Sequence, residues 1–157
     1  MRFPAICAVL TGILLASTAG AESVIELNSG LGPADGAKPV DVTRYEPRRD
    51  GKYKIGFSNV FTGNSWVVQL LEEAKWRAAG LPEIESYIVT DANFDPAKQV
   101  ADVEDMLAQG VDAIIINPTS PVAVVPVLEK AYDAGVVVVI VAADAQTEKA
   151  TVRILAD

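Results

Sequence analysis

The sequence contains no histidine, and its single cysteine, Cys7, lies near the amino terminus. Histidine is the usual general base near neutral pH and a common zinc ligand, and cysteine is the usual thiol nucleophile. Without them, most hydrolase and metalloenzyme mechanisms are closed to the rest of the chain. We therefore expect a protein that is not an enzyme and that has no metal site, no cofactor and no disulfide.

Basic residues are also few, because 13 Lys and Arg stand against 21 Asp and Glu, giving a net charge of −8. Such a surface repels phosphate backbones, so we expect no nucleic-acid partner. The segment Gly63-Asn64-Ser65 lacks the glycine spacing and the lysine of a phosphate-binding P-loop. An enzyme remains the alternative class, because a fold alone does not fix a function.

Only one long apolar run is present, from Ala5 to Leu15. Arg2 precedes it and the small residues Ala19-Gly20-Ala21 follow it, which is typical of a secretory signal peptide cleaved after Ala21. A membrane anchor is the alternative, but the run is shorter than the roughly 20 residues that a span needs. We expect residues 1–21 to be a signal peptide and the cleaved chain to have no stable membrane insertion.

Residues 22–51 show no sustained periodicity and contain four glycines and three prolines, so we interpret them as a leader or linker. From Tyr53 onward, Val- and Ile-rich segments alternate with helical segments. Strands are predicted at 53–58, 84–90, 113–117, 136–141 and 151–155. This alternation predicts an α/β fold, a doubly wound parallel sheet with helices on both faces.

The three predicted helices end at Gly80, Gly110 and Gly135. The first is capped by Asn64 or Ser65, and the second opens with the cap-and-proline pair Asp95-Pro96. Its predicted inner face comprises Ala97, Val100, Val103 and Leu107. Pro126 either kinks the third helix or marks its start.

Polar side chains follow each of the first four predicted strands. In a parallel sheet these positions meet at one edge, where α/β proteins bind ligands. Amides and carboxylates beside an aromatic ring suit a neutral, polyhydroxylated ligand. The candidate ligand-binding residues are Asn64, Trp66, Asp91, Asn93, Asn117, Thr119 and Asp144.

Structural roles compete with ligand binding at several of these positions. Asn64 is a good helix cap, and Asp91 with Asn93 suits a turn. Trp66 lies on an apolar helical stripe and fits the core as well as a ligand platform. Asn117 and Asp144 favour function, because each follows an apolar strand where a cap or turn role is less obvious.

The segment "DANFDPAKQVADVEDMLAQGVDAIIINPTSPVAVVPVLEKAYDAG", followed by a Val-rich strand and Asp144, resembles the N-terminal lobe of the periplasmic sugar-binding proteins of ABC importers. This family contains ribose-binding protein. The earlier segment "IGFSNVFTGNSW" is similar to the family's first strand and ligand-facing loop. The resemblance covers about Tyr53 to Asp157, and it accords with a signal peptide.

This resemblance implies a two-lobed periplasmic receptor that closes over a sugar and delivers it to the membrane permease of an ABC importer. A periplasmic sensory domain for chemotaxis or signalling is the alternative. The resemblance also implies that Asp144 accepts hydrogen bonds from sugar hydroxyls. It places Asn64 and Trp66 in the first loop, and the other four candidates on the rims of the second and third strands.

Two departures from the family pattern are visible. Many relatives carry an arginine after the aspartate, whereas this chain has Ala145, which leaves the class of sugar open. The chain also ends at Asp157, where the second lobe of the family begins. We therefore expect residues 52–157 to form the N-terminal lobe alone, as a truncated gene product or a partial sequence.

Overall fold

The structure is a computed structural model that describes Tyr45 and residues 51–155. Five strands form the sheet: β1 Tyr53–Asn59, β2 Ile84–Asp91, β3 Ala113–Ile116, β4 Val137–Ala142 and β5 Val152–Leu155. Three helices connect the first four strands, α1 Ser65–Ala79, α2 Pro96–Ala108 and α3 Val125–Asp133, and an irregular segment connects β4 to β5. All neighbouring strands pair in parallel, in the order β2-β1-β3-β4-β5. The predicted fold class is thereby confirmed.

Some predictions fall on parts of the chain that the structure does not describe. The signal peptide at residues 1–21 and the leader at 22–51, apart from Tyr45 and Gly51, lie outside the described residues, as do Ala156 and Asp157. Tyr45 shares a hydrogen bond with Thr151 Oγ1, immediately before β5. No helix within the described ranges is long and apolar enough to cross a membrane.

The two faces of the sheet are packed by different helices, because successive strand side chains point to opposite faces. On one face, Ile114, Ile116, Val138 and Ile140 are buried in a single cluster with residues of α2 and α3. On the other face, Phe57 packs with α1, and Ile115 and Val141 are only partly buried. Helices on both faces are what a buried parallel sheet requires.

The face that carries α1 is the less covered one. An apolar groove of about 460 Å³, which we call the α1-side groove, lies between this helix and the strands. Its lining includes Phe57, Trp66, Leu70, Tyr87, Ile115, Asn117, Val141 and Ile154. Among these, the side chains of Trp66 and Ile154 are largely exposed.

The helix starts follow the predicted capping chemistry. Asn64 Oδ1 accepts the N–H of Val67 at 2.8 Å, so Asn64 is the cap of α1. Asp95 Oδ1 accepts the N–H groups of Ala97 and Lys98 at 2.8 and 3.2 Å. Pro126 lies in the first turn of α3, which settles the open alternative in favour of a helix start.

The predicted inner face of α2 is confirmed at Val103, and Val100 and Leu107 pack against the same buried cluster, but Ala97 does not belong to it. Gln99, Val103 and Met106 are buried, whereas Ala97 is exposed and was wrongly placed on the inner face. The buried face extends to Gln99, whose amide bonds to the loop after β3. Hydrophobic periodicity could not predict the burial of Gln99, because it treats every glutamine as a solvent-facing residue.

Candidate functional site

The carboxyl ends of the first four strands form one edge of the sheet. In the register of the pairs, Asn59 lies opposite Asp91, and Ser58 lies opposite both Thr90 and Ile116. Ile116 in turn lies opposite Ile140 of β4. Asp91 is the last residue of β2, and the other six candidate residues follow the ends of β1 to β4. The segments that carry them therefore leave the sheet at this edge, which we call the carboxyl edge.

Asn64 and Trp66 stand at the start of α1 in different roles. Asn64 is exposed and its side-chain oxygen is used by the helix cap. Trp66 is 62% exposed, so it is not a core residue, although its apolar spacing is compatible with one. It lines the α1-side groove together with Asn117. The structure therefore brings Trp66 and Asn117 to the same surface.

Asp91 ties the loop after β1 to the end of β2. Its Oδ2 accepts the N–H of Thr62 at 3.0 Å, and its Oδ1 accepts the N–H of Asn93 at 2.7 Å. Burial alone would raise the pKa of Asp91, but hydrogen bonds from Thr62 and Asn93, with the charge of Lys98, outweigh it and lower the pKa. Asp91 is thus favoured as a carboxylate by groups from both loops and by the charge of Lys98.

Two aromatic rings lie on the two loops that Asp91 joins, and the sequence reasoning missed both. Phe61 and Phe94 stack with ring centroids 4.4 Å apart and an interplanar angle of 26°. Phe94 is 63% exposed, and its N–H donates to the carbonyl of Val60 at 2.9 Å. The signal that could have found them is their position, since each phenylalanine interrupts a polar loop at a strand end.

The backbone at Asn93 and Phe94 is left-handed, with φ of 49° and 61°. Asparagine adopts this region readily, whereas a phenylalanine there is uncommon. The stack with Phe61 and the bond to Val60 hold Phe94 in this conformation. The aromatic pair therefore joins the loop after β1 to the loop after β2.

Asn117 and Thr119 are held through Gln99. The side-chain Nε2 of Gln99 donates to the carbonyl of Asn117 at 2.9 Å, and its Oε1 accepts the N–H of Thr119 at 2.7 Å. The N–H of Asn117 donates to the carbonyl of Ser58 at 3.0 Å and extends the β1–β3 ladder by one bond. The backbone at these two residues is thus fixed, while the Oγ1 of Thr119 has no partner among the described residues.

Several other polar atoms at this edge are buried without a partner in the described part of the chain. They are Ser58 Oγ, Asn59 Oδ1 and Thr90 Oγ1. Buried polar groups are normally hydrogen-bonded, so these atoms are candidates for contact with water or a ligand group. Ser58 and Asn59 were not among the predicted site residues, although they directly follow the apolar part of β1.

Asp144 lies after β4 and is bound by an arginine from the neighbouring strand. Its Oδ1 accepts the N–H of Ala145 at 2.8 Å and also a hydrogen bond from Arg153 Nη1. Ala145 is 1% exposed, so a residue at this position does not face solvent. The guanidinium that contacts Asp144 comes from Arg153 of β5. The sequence reasoning missed this contact.

The carboxyl edge thus presents amide, hydroxyl and carboxylate groups beside one stacked aromatic pair. Within residues 51–155, no three acidic side chains lie close enough together to hold a metal ion. Hydroxyl groups of a ligand can both donate to carboxylates and accept from amides. The arrangement is suited to binding a neutral polar molecule. The structure shows Asn64 mainly as a helix cap, and it does not gather all seven candidates around one cavity.

A sequence model of the family described as "Periplasmic binding protein domain" matches residues 55–157. The ribose import binding protein of Bacillus subtilis is 36% identical over 110 residues, which is 68% of this chain and 34% of that protein. The D-ribose/D-allose-binding protein of Pseudomonas aeruginosa is 51% identical over 45 residues, 29% of this chain and 14% of that protein. The chain thus spans about a third of the Bacillus protein.

Solved structures with the same fold carry related names. An ABC transporter solute-binding protein from Mycobacterium smegmatis, solved with bound glycerol, is 34% identical with a TM-score of 0.58, and the match covers 63% of this chain and 33% of that one. The fructose-binding periplasmic domain of a hybrid two-component system is 27% identical with a TM-score of 0.61, covering 65% and 33%. These similar proteins are named as binding proteins or domains.

Proposed function

Because this chain belongs to the family of periplasmic binding protein domains, we propose that it forms one wall of a sugar-binding cleft in a solute-binding protein located in the periplasm. In this proposal the protein delivers its sugar to the membrane permease of an ABC importer. The observation that carries the proposal is the placement of polar loop residues after four parallel strands at a single edge of the sheet.

The chemistry of the carboxyl edge supports a sugar as ligand. Asp144 supplies a carboxylate that is more than half exposed, and Asn117 supplies an amide on the α1-side groove. The exposed ring of Phe94 supplies an apolar face against which the C–H groups of a sugar can pack. No positively charged cluster is needed for such a ligand, since it is neutral.

The relatives support the same class of ligand. The curated relatives are named for ribose, or for ribose and allose, and a structural relative is named for fructose. Their shared chemistry is a small polyhydroxylated molecule. The ribose importer relative also supports delivery to a permease, and the chain spans about a third of its length.

Titration of the isotopically labelled chain with D-ribose, D-allose and D-fructose, followed by nuclear magnetic resonance, tests the binding proposal. We expect shifts confined to amides of the loops after β1 to β4. Asp144→Ala should weaken the binding by about 1–3 kcal/mol, the cost of leaving hydrogen-bonding partners unpaired. Asp105→Ala, which removes an exposed carboxylate from α2, is the control. Equal affinities for both variants would remove Asp144 from the site.

Sensing is the second candidate function, and one observation favours it. The fructose-binding relative is a periplasmic domain of a two-component system rather than a transport protein. Uptake of radiolabelled sugar by cells with and without the gene separates the two functions. Transport predicts that uptake is lost with the gene, whereas sensing predicts normal uptake and a lost transcriptional or chemotactic response to the sugar.

A further inference from the structure

Arg153 of β5 makes a three-way contact with the loop after β4. Its Nη1 donates to Asp144 Oδ1 and to the carbonyl of Ala145, and its Nη2 donates to the carbonyl of Thr147. The side chain is partly exposed, with 30% of its surface accessible, and Arg153 as a whole lies at the surface of the edge strand. A planar guanidinium can reach three acceptors at once because its donors form a rigid fork.

The loop between β4 and β5, which Arg153 contacts, contains no helix or strand. It follows Ala142, the last residue of β4, whose φ of 64° lies in the left-handed region that an alanine rarely adopts. Beyond Arg153, its contacts with the rest of the protein include the bond from Gln146 N–H to the Pro121 carbonyl at 2.7 Å, that from Thr147 Oγ1 to Glu129 at 2.9 Å, and the pair of Lys149 with Asp133. An unfavourable backbone conformation persists only where surrounding contacts impose it.

The two oxygens of Asp144 are used differently. Oδ1 accepts from both Arg153 and the N–H of Ala145, whereas Oδ2 has no hydrogen-bond partner within the described part of the chain. Half of the carboxylate is therefore tethered to the protein, and the other half remains able to accept from a ligand. The two oxygens are chemically equivalent, so whichever one the guanidinium holds leaves the other able to accept.

We propose that Arg153 is a positioning residue that fixes the rotamer of Asp144 and the path of residues 144–147, so that Oδ2 of Asp144 is set to accept a sugar hydroxyl. The proposal rests on the function proposed above, and it adds a residue from a different strand that sets the affinity. Arg153 acts through Asp144 and the loop carbonyls, without itself contacting the sugar.

The test compares the full chain with Arg153→Gln, Arg153→Lys and the control Lys149→Gln. Lys149 lies in the same loop but pairs with Asp133 on α3, so its variant removes a nearby positive charge and leaves Asp144 untouched. Two quantities are measured for each protein: amide hydrogen exchange at Ala145, Gln146 and Thr147 without sugar, and the Kd for the sugar that binds best to the wild type.

We expect Arg153→Gln to speed exchange in the loop and to weaken sugar binding by about tenfold, since charge-assisted hydrogen bonds are each worth more than neutral ones. Arg153→Lys should show most of the same loss, because an ammonium cannot reach three acceptors from one plane. Lys149→Gln should change neither quantity. Amides of β1 and β3 serve as the folding reference, and their exchange should not change.

Three results would overturn the proposal. Unchanged loop exchange in Arg153→Gln shows that the loop keeps its path without the guanidinium. Full recovery in Arg153→Lys shows that charge alone acts. Faster loop exchange with an unchanged Kd shows that the loop does not set the affinity. If the wild type binds none of the sugars, the proposed function fails instead, and with it the ligand role of Oδ2, while loop exchange still decides whether Arg153 holds the loop.

Discussion

The buried amide of Gln99 on α2 accepts a hydrogen bond from the N–H of Thr119 at 2.7 Å, across 20 residues of sequence. The same amide donates to the carbonyl of Asn117 at 2.9 Å. One side chain therefore fastens the loop after β3, and with it two candidate ligand contacts, to the helix that follows β2. Gln99 is fully buried, so water does not replace these bonds when they are lost.

Gln99→Leu is expected to destabilise the protein by about 1–3 kcal/mol, because two partly buried backbone groups lose their partners. Urea denaturation measures the change in the free energy of unfolding. Gln109→Leu is the control at the C-cap of the same helix, since Gln109 is exposed and its side chain bonds, within the described ranges, only to the carbonyl of Asp105. Its effect should stay within about 0.5 kcal/mol. Equal losses for the two variants would contradict the anchoring role of Gln99.

Asp91 gives the loop after β1 a pH-dependent attachment. Because hydrogen bonds lower the pKa of this carboxyl in the folded state, the stabilisation is present above the unfolded pKa of about 3.9 and is lost as the pH falls through the folded pKa. Asp91→Asn keeps the shape but removes the charge. We expect it to cost about 1 kcal/mol at pH 7 and progressively less below pH 4.

The measurement for Asp91 is the free energy of unfolding of both proteins in urea between pH 3 and 7. Asp105→Asn, an exposed carboxylate on α2, is the control and should follow the wild type over the whole range. A difference between wild type and Asp91→Asn that stays constant down to the lowest pH would mean that the charge of Asp91 contributes nothing.

The fold was predictable because its signals are local. Runs of Val and Ile mark the strands, and glycines mark the ends of the helices. The pair Asp95-Pro96 marks the start of α2 through its capping side chain. Pro126 shows the limit of such signals, since the choice between a kink and a helix start depends on what precedes it in space. The structure places it at the start of α3.

The candidate site was less predictable, because its contacts join residues far apart in sequence. The carboxyl edge could be expected from parallel strands, which align their ends. The tie from Gln99 to Thr119 and the tie from Arg153 to Asp144 depend on side-chain reach between elements. Composition gives no hint of either, since a glutamine on a helix and an arginine in an edge strand usually face solvent.

Tyr87 of β2 has a buried hydroxyl with no partner in the described part of the chain. Burial raises the pKa of Tyr87 to about 12. Because the folded pKa lies above the unfolded value of about 10, the stabilisation is complete below pH 10 and is lost as the pH rises toward 12. Tyr87→Phe should therefore flatten the fall in stability above pH 10.

At neutral pH the same variant removes an unpaired buried hydroxyl. We expect the free energy of unfolding to stay the same or to rise by about 1 kcal/mol. Chemical denaturation at pH 7 and the tyrosine absorbance titration of the folded protein provide the two measurements. In the titration, the component that ionises near pH 12 should disappear. A loss of more than about 1 kcal/mol at pH 7 would show that the hydroxyl has a bound partner such as water.

Phe61 and Phe94 couple the two loops that flank Asp91, and a double-mutant cycle measures that coupling. The rings are 4.4 Å apart at their centroids, and such pairs contribute about 0.5–1.5 kcal/mol beyond burial. Phe61→Leu, Phe94→Leu and the double variant keep apolar bulk while removing the stacked faces. We expect an interaction energy in that range from urea denaturation.

Phe57→Leu combined with Phe94→Leu is the control, because Phe57 is buried beneath α1 and makes no ring contact with Phe94 among the described residues. That pair should be additive, and additivity of the Phe61 and Phe94 variants as well would mean that the stack does not join the loops.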